Sequence, residues 1–290
     1  MLKIIEKTKI WFAASLIIII IGLGFIITKG FNFGIDFKGG TQVVIDIGKD
    51  FDKFEVEEII KNYANDVTTN KVDGNQIEIK SNNLDSNKVS EMFKEIKDTY
   101  SLEDSALISQ DEIGATIGKE LAKKSVIALI ISTLAILIYV AIRFEFKFGS
   151  AAVLALIHDV LITVSVYAIF QIPINTPFIA AILSIVGYSI NDTIVIFDRI
   201  RENQKKMRGV TPTELANVSI TQTIKRSINT SLTTVITISC VYAFVPSIRD
   251  FAFPLLLGII CGAYSSIFIA SPLWVIFKNK GKHNTVKLKK

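Results

Sequence analysis

Six stretches of the chain are each long and apolar enough to cross a lipid bilayer, and this constrains the fold more than any other feature. A membrane-spanning helix needs about 20 mostly apolar residues, and its backbone polar groups must be satisfied within the segment. The stretches are 10–27, 125–142, 150–170, 178–197, 228–245 and 251–277. The first continues into Thr28 and Lys29 without a cleavage site of small residues, so we interpret it as an uncleaved anchor, not a signal peptide. The sequence therefore predicts an α-helical membrane protein with six transmembrane helices.

Cysteine and histidine are rare in this chain. The two cysteines, Cys240 and Cys261, lie inside apolar stretches, and the long segment between the first two spans contains none. That segment has no disulfide framework, and we interpret both cysteines as small packing residues. With two histidines and no Cys/His cluster, we expect no metal site and no organic cofactor. We also expect contacts with membrane lipid and no nucleic-acid partner.

Lysine and arginine are distributed unequally between the two sides of the predicted spans. Eighteen basic residues lie in one set of segments, which consists of the N-terminus, 143–149, 198–226 and the tail from Lys278. The short loops on the opposite side, 171–177 and 246–250, carry only Arg249. Because cytoplasmic loops are rich in lysine and arginine, we expect a multi-pass protein with both termini in the cytoplasm. The segment between the first two spans then lies outside.

Between the first two spans the apolar pattern changes from continuous to alternating. Four segments read as β-strands: 41–47, 67–72, 76–80 and 106–110. Asp73-Gly74 is typical of a hairpin turn, and helices are indicated after Asp52 and from Ser86. The apolar faces of these two helices are Val56, Ile59, Ile60 and Tyr63, and Val89, Met92, Phe93 and Ile96. The order β-α-β-β-α-β predicts a small ferredoxin-like α+β domain that binds or gates and is not an enzyme.

These features divide the chain into four parts. They are an N-terminal segment with the first helix (1–29), the extracytoplasmic α+β domain (30–122), helices 2–6 with a cytoplasmic loop near 198–226 (123–277), and a basic tail (278–290).

Two aspartates fall inside predicted spans, where an ionisable residue costs roughly 2.5–3.5 kcal/mol on insertion scales. Asp159 lies nine residues into the third span, in a row of small residues at four-residue spacing. Asp192 lies five residues before the end of the fourth span, and Tyr188, Ser189 and Ser184 are expected on its face. Both aspartates should therefore face neighbouring helices or a wet cavity.

Two cationic or titratable residues lie near these aspartates in the predicted topology. Arg226, at the base of the fifth span, is at a depth compatible with Asp192, although it also reads as an ordinary cytoplasmic anchor. His158 precedes Asp159, and with Leu154 and Ile162 on its own face it is read first as a packing histidine.

Glycines mark two further places. After the first span, FNFGIDFKGGT (31–41) holds Asp36 and the pair Gly39-Gly40, which permit either a simple turn or a close approach of backbones. In the last span, small residues recur every four positions at Gly258, Gly262, Ser266 and Ala270. This ridge predicts close helix packing.

Four motifs of this chain resemble those of the SecF family, the smaller membrane subunits of the bacterial SecD–SecF protein-export complex. They are FNFGIDFKGGT (31–41), ALIHDVLIT (155–163), GYSINDTIVIFDRIREN (187–203) and SITQTIKRSINTSLTT (219–234). The resemblance covers nearly the whole chain. It departs at Ala115, where the family often has proline.

The resemblance implies half of a resistance–nodulation–division-type bundle in the bacterial cytoplasmic membrane, completed by a SecD-type subunit. It implies that the pair uses the proton gradient to draw unfolded polypeptides outward from the SecY-E-G translocon. Protons would be the coupling ion, with sodium an open alternative. Asp192 and Arg226 match residues tied to proton conduction in the family, and Asn191, Asp159 and His158 are candidate supporting residues.

Three other classes stay in view. Paired intramembrane aspartates suggest an aspartyl protease, but Gly-x-Gly-Asp is replaced here by Ser189-Ile190-Asn191-Asp192. A non-conducting scaffold would use the same polar residues only to join helices, and a small-molecule efflux half-transporter would need a substrate cavity.

Overall fold

The computed structural model contains six helices long and apolar enough to span a membrane within the residues that it describes, 2–143 and 145–287. The prediction of six spans is confirmed. They are Ile5–Lys29, Ala115–Val140, Phe146–Phe170, Thr176–Lys206, Pro212–Phe244 and Pro246–Asn279. Met1, residue 144 of the predicted loop 143–149, and the end of the predicted basic tail (288–290) lie outside the described residues.

The elements follow one another in this order: α1 (Thr8–Lys29), α2 (Ile35–Lys38), β1 (Gly40–Asp46), α3 (Lys53–Lys61), β2 (Thr68–Val72), β3 (Gln76–Ser81), α4 (Ser86–Tyr100), β4 (Leu107–Ile113), α5 (Ala115–Arg143), α6 (Phe146–Phe170), α7 (Thr176–Lys206), α8 (Pro212–Phe244), α9 (Arg249–Ser265) and α10 (Ser271–Lys287). A π-helical turn, Ser266–Ala270, joins α9 to α10, so that these three pieces form the sixth span.

The segment between α1 and α5 folds as the predicted α+β domain. Its four strands form one antiparallel sheet in the order β2-β3-β1-β4, which is the ferredoxin-like arrangement. Asp52 and Asp85 cap α3 and α4 by accepting hydrogen bonds from the backbone N–H groups of Phe54 and Lys88. Asp73 and Gly74 both have positive φ, as the predicted hairpin turn requires.

The core of this domain lies between the sheet and its two helices. Val43 pairs with Ile79 and Ile45 with Ile77 across β1 and β3, and all four side chains are fully buried. The predicted faces of α3 and α4 cover them, with Val56, Ile60, Val89, Met92 and Ile96 at the centre. Each such side chain contributes about 1.5–3 kcal/mol of transfer free energy.

The six spans are not equally enclosed. In the most apolar 18-residue stretch of each span, about half of the residues are buried in the third, fourth and sixth spans, none in the second, and about one in ten in the first and fifth. Helices α6, α7 and α9 therefore form the centre of the bundle, and α1, α5 and α8 lie around it. The centre is where a charged side chain would be kept from lipid and water.

The ridge of small residues in the sixth span packs against α7, as predicted. A Cβ on Gly258 would come within 2.2 Å of the Ile185 side chain, and one on Gly262 within 3.0 Å of Ser189. All four ridge residues are buried. Glycine here lets two helix backbones approach closely enough for polar side chains to meet between them.

The connection predicted at 198–226 is mostly helical. Helix α7 continues to Lys206 and α8 begins at Pro212, where the Thr211 side chain caps the N–H of Glu214. The two helices are joined there because the side-chain amide of Asn203 donates to Ser219 and Gln222. These contacts hold α7 and α8 side by side before they enter the apolar part of the bundle.

Candidate functional site

Asp159 is fully buried at the meeting point of three helices. The hydroxyls of Ser189 on α7 and Ser265 at the end of α9 both donate to Asp159 Oδ2, at 2.5 and 2.7 Å. The Asp159 Oδ1 atom lies 3.0 Å from His158 Nδ1. The expectation that Asp159 faces its neighbours is therefore met, and its carboxylate joins α6, α7 and α9.

His158 is a hydrogen-bonding partner of Asp159 and not a packing residue alone. Its ring lies next to the ring of Tyr264, with 6.2 Å between centroids. The second ring nitrogen, Nε2, is buried and has no hydrogen-bond partner among the described residues. A buried polar atom of this kind is rare, because leaving it unpaired costs about 1–3 kcal/mol.

The π-helical turn Ser266–Ala270 begins directly after Ser265. The Ser266 hydroxyl lies 2.8 Å from that of Thr193 on α7, and Ser271 donates to the Ser266 carbonyl at 3.0 Å. Single π-helical turns within α-helices are rare and are found frequently at functional sites. The polar contacts with α7 therefore continue along the sixth span through its irregular turn.

Asp192 is also buried, one helical turn from Ser189 on α7, and it contacts α8. Only 5% of its surface is exposed, and among the described residues its carboxylate accepts a hydrogen bond from the Ser231 hydroxyl, at 3.2 Å from Oγ to Oδ2. The adjacent Ser227 hydroxyl is buried without a partner in the described structure. The sequence could not show that these helices are neighbours, and the structure brings them together.

Arg226 does not form an ion pair with Asp192 in the part of the chain that the structure describes. Its side chain is exposed on α8. It lies five residues before Ser231, which rotates it by about 140° around the helix from the residue that contacts Asp192. The depth predicted for the pair was compatible, and Arg226 remains near enough to Asp192 for an electrostatic interaction without a direct ion pair.

Two further polar residues of α7 point away from Asp192. Asn191 and Ser184 are both exposed, together with Ala180 and Gly187 on the same face. Ser184 was expected beside Asp192, but a separation of eight residues rotates the helix by about 80°. Tyr188 does share the inner side, where its hydroxyl lies 2.7 Å from that of Thr234. Helix α7 thus has small and polar residues on an exposed face as well as on its buried one.

The motif after the first span fastens the α+β domain to the bundle. Asp36 Oδ2 accepts a hydrogen bond from the N–H of Thr176 at the start of α7, 2.7 Å away. The N–H of Gly34 donates to the Ile174 carbonyl at 2.8 Å, and the N–H of Ile174 donates to the Asn32 carbonyl at 2.7 Å. This segment is therefore more than a simple turn, because it forms hydrogen bonds with the connection between α6 and α7.

Gly39 and Gly40 allow the domain to begin its sheet in this crowded place. Both have positive φ, and a Cβ on Gly40 would lie 2.4 Å from the carbonyl of Ser81. A Cβ on Gly39 would lie 2.9 Å from the carbonyl of Ile113. Of the two alternatives that the sequence allowed, a simple turn or a close approach of backbones, the structure shows the close approach.

Sequence reasoning missed the hydroxyl groups of α8 that line its contact with α7. Ser219, Thr223, Ser227 and Ser231 recur every four residues and are all buried. This spacing was a usable signal, because small polar residues on one face of a spanning helix mark close packing. It also missed buried Asn217, whose side chain accepts from the N–H groups of Ile4 and Ile5 and donates to Glu6.

Comparison with family models gives two matches. A model described as "Protein export membrane protein SecD/SecF, C-terminal" matches residues 91–280, and one described as "SecD/SecF GG Motif" matches residues 24–50. The second match includes Gly39 and Gly40, and the first includes both buried aspartates.

Individual relatives agree with these models. The protein translocase subunit SecF of Sebaldella termitidis is 41% identical over 280 residues, covering 94% of this chain and 90% of its own. The protein translocase subunit SecDF of Bacillus subtilis is 34% identical, covering 95% of this chain but 38% of its own. The solved structure of SecDF, a translocon-associated membrane protein from Thermus thermophilus, superposes with a TM-score of 0.81 at 34% identity. That match covers 96% of this chain and 39% of the solved one, so this chain spans about two-fifths of a SecDF protein.

Proposed function

We infer the function of this chain from its family: it belongs to the SecD/SecF protein-export membrane proteins, and it has a role in protein export. It is a multi-pass protein of the bacterial cell membrane. The finer steps, namely how export is driven and with which partners, form the proposal below.

We propose that the chain uses the proton motive force, with Asp192 as the residue that gains and loses the proton. The observation that carries the proposal is a buried carboxylate that, among the described residues, accepts a hydrogen bond from one hydroxyl and lies near a second hydroxyl without a partner. A carboxylate in an apolar site favours its neutral form, whereas a nearby guanidinium favours the anion. Few fixed contacts leave Asp192 free to change between the two. Protons are the proposed coupling ion, with sodium as the alternative, and no organic cofactor or enzymatic step is involved.

Arg226 is proposed to tune this exchange in another conformation of the bundle. It lies on the same helix as Ser231 but is exposed in this structure. A rotation of α8 about its axis would carry the guanidinium towards Asp192 and stabilise the anion. The free energy available is about 2.3 kcal/mol per charge for each 100 mV of membrane potential.

A SecD-type subunit is the proposed partner, because SecDF relatives contain an equivalent of this chain within a longer polypeptide. The exposed face of α7, made of Ala180, Ser184, Gly187 and Asn191, is proposed to contact it. These residues are small or polar at mid-span, where a lipid-facing helix would be apolar. The SecY-E-G translocon and unfolded polypeptides are proposed as the other partners, and the α+β domain is proposed to lie on the outer side with both termini cytoplasmic.

Gradient-driven export in membrane vesicles tests the role of Asp192. Asp192→Asn keeps the size and hydrogen-bonding ability of the side chain but cannot cycle a proton, so the dependence of export on the gradient is expected to be lost. Asp198→Asn makes the same change six residues later on α7, at the half-exposed surface, and is the matched control. Full gradient dependence in Asp192→Asn, at equal abundance, would leave the non-conducting scaffold as the better account.

Labelling of single cysteines tests the orientation, after Cys240 and Cys261 have been replaced by serine. Glu58→Cys in the α+β domain and Ile248→Cys are expected to react with an impermeant reagent only from outside the cell. Lys205→Cys is expected to react only from the cytoplasmic side. All three positions are exposed in the structure. Reaction of Glu58→Cys from the cytoplasm would reverse the proposed topology.

A further inference from the structure

We propose that His158 and Asp159 together form a second proton-binding site in the bundle, distinct from Asp192. Two observations carry this inference: a fully buried carboxylate that no lysine or arginine contacts among the described residues, and the unpartnered Nε2 atom of the imidazole beside it. That the proton serves export rests on the proposed function, whereas the binding of the proton does not.

The geometry identifies the atom that receives the proton. An ionised carboxylate can only accept hydrogen bonds, so His158 Nδ1, 3.0 Å from Asp159 Oδ1, carries the hydrogen in the neutral ring. Nε2 then holds a free lone pair. A hydronium ion reaching Nε2 transfers its proton there and leaves as water, and no other bond is broken.

Proton binding neutralises the pair. Before it, neutral His158 and ionised Asp159 carry a net charge of −1, and afterwards the imidazolium and the carboxylate carry none. The same two-proton state can be written as a neutral imidazole and a carboxylic acid, so the proton belongs to the pair and not to one residue. Removing an uncompensated charge from an apolar interior is favourable, since such a charge is costly to bury.

The surroundings offer few competing charges. Tyr264 and Cys261 on α9 are the titratable side chains of that helix near the pair. The titratable side chain of α7 near the pair is Asp192, one turn from Ser189. The peripheral helix α5 carries Tyr139, which is exposed. Helix α1 has no ionisable residue between Lys9 and Lys29, and none lies in the π-turn. None of these groups carries a positive charge. A proton bound by the pair would therefore compensate the negative charge of the Asp159 carboxylate.

The site is connected to the two elements that would have to move. Asp159 holds Ser189, which lies three residues before Asp192 on α7, and Ser265, which directly precedes the π-turn. When the pair takes up a proton, the carboxylate attracts these hydroxyls less strongly, because charged acceptors make the stronger hydrogen bonds. Proton binding by the His158–Asp159 pair would thus loosen the contacts of α6 with α7 and α9, one helical turn from Asp192.

Proton binding can be measured on the full chain in lipid nanodiscs by nuclear magnetic resonance of ¹⁵N-labelled histidine. The chain has two histidines, so His283→Gln leaves the ring of His158 as the single signal. The signal is followed between about pH 5 and 8, the range in which imidazole can change charge, and we expect it to pass from the neutral to the protonated form in one step. Asp159→Asn removes the compensating anion and should lower the midpoint by about one pH unit or more, a tenfold loss of proton affinity.

A second variant keeps the test valid should Asp159→Asn fail to fold. Ser265→Ala retains both titratable groups and removes one donor from the carboxylate, so the midpoint should rise by about half a pH unit or more. An unchanged His158 signal across this pH range in the wild type would overturn the proposal. So would a midpoint that neither variant moves, because His158 would then titrate alone.

Export assays separate this inference from the proposed function. If His158→Gln shifts the pH dependence of gradient-driven export while Asp192→Asn abolishes it, both hold. A titrating pair in a chain whose export ignores the gradient would refute the proposed function and leave the proton site standing. If export depends on the gradient but His158 never changes its protonation, the proton site is refuted and the proposed function stands.

Discussion

Asp159 and Asp192 are both buried aspartates of one bundle, yet their surroundings differ. Asp159 lies at its centre with two hydroxyls and an imidazole on its carboxylate, whereas Asp192 lies towards the peripheral helix α8 with one hydroxyl. Each bond to a charged group contributes about 1.5–3 kcal/mol, so the two carboxylates are held very unequally.

The difference shows that depth in the membrane alone does not assign a role. A carboxylate that joins three helices contributes to holding them together, and any change in its protonation acts on all three. A carboxylate with one partner at the border of the bundle can change state with little local rearrangement. The following predictions test this contrast, beginning with the largest expected effect.

The packing on the Asp159 side of α7 should tolerate no added volume. Gly258→Ala would place its Cβ 2.2 Å from Ile185, so we expect a loss of about 2–3 kcal/mol in the free energy of unfolding. Gly187→Ala, on the exposed face of α7 with nothing within 4 Å, is the matched control and should be neutral or slightly stabilising. Thermal unfolding in detergent measures both. Equal stability of the two variants would contradict the tight centre.

The two aspartates should differ in their contribution to stability. Asp159→Asn weakens three contacts and is expected to cost about 1–2 kcal/mol. Asp192→Asn weakens one and is expected to cost less, although it removes gradient-driven export. Measuring unfolding and export on the same two variants compares the sites directly. A larger loss of stability for Asp192→Asn would break the contrast.

Single hydroxyls should follow the same order. Ser265→Ala removes a donor from the enclosed carboxylate, and we expect a cost of about 1 kcal/mol. Ser231→Ala removes the donor at Asp192, where the longer contact of 3.2 Å predicts about 0.5 kcal/mol. Chemical denaturation of both variants against wild type gives the comparison, and the reverse order would count against it.

Arg226 should have the smallest effect on stability. Its exposed side chain has no ion pair with Asp192 among the described residues, so Arg226→Lys should change the free energy of unfolding by less than about 0.5 kcal/mol. Gradient-driven export should nevertheless fall to an intermediate level, because lysine keeps the charge but lacks the planar fork of donors. Export at the wild-type level in Arg226→Lys would contradict the proposal that the planar geometry of the guanidinium matters.

Contact with a partner subunit gives a further comparison between two faces of the bundle. Ala180→Leu on the exposed face of α7 should reduce co-purification of a SecD-type protein several-fold, since it adds bulk where helices would meet closely. Ala14→Leu makes the same change on an exposed position of α1 and should have no such effect. Equal recovery of the partner with both variants would move the interface elsewhere.

Much of the site could be found from residues alone. Asp159, Asp192 and His158 stand out because ionisable side chains are rare within apolar spans. The glycine ridge of the sixth span was readable from its spacing, and the structure confirms its packing on α7. The partners of the aspartates were not readable, because Ser189, Ser231 and Ser265 lie on separate helices whose adjacency is not encoded in local pattern.

The sequence by itself determined the six spans and the order of elements in the α+β domain. Both depend on periods of apolar residues that the backbone imposes locally, about 20 in a row for a span and alternation for a strand. Only the tertiary structure decided that, among the described residues, Asp159 has three hydrogen-bond partners and Asp192 has one, and that Arg226 is exposed without an ion pair to Asp192. Those outcomes depend on which helices touch and on rotation of about 100° per residue, so a shift of one position exchanges a buried contact for an exposed face.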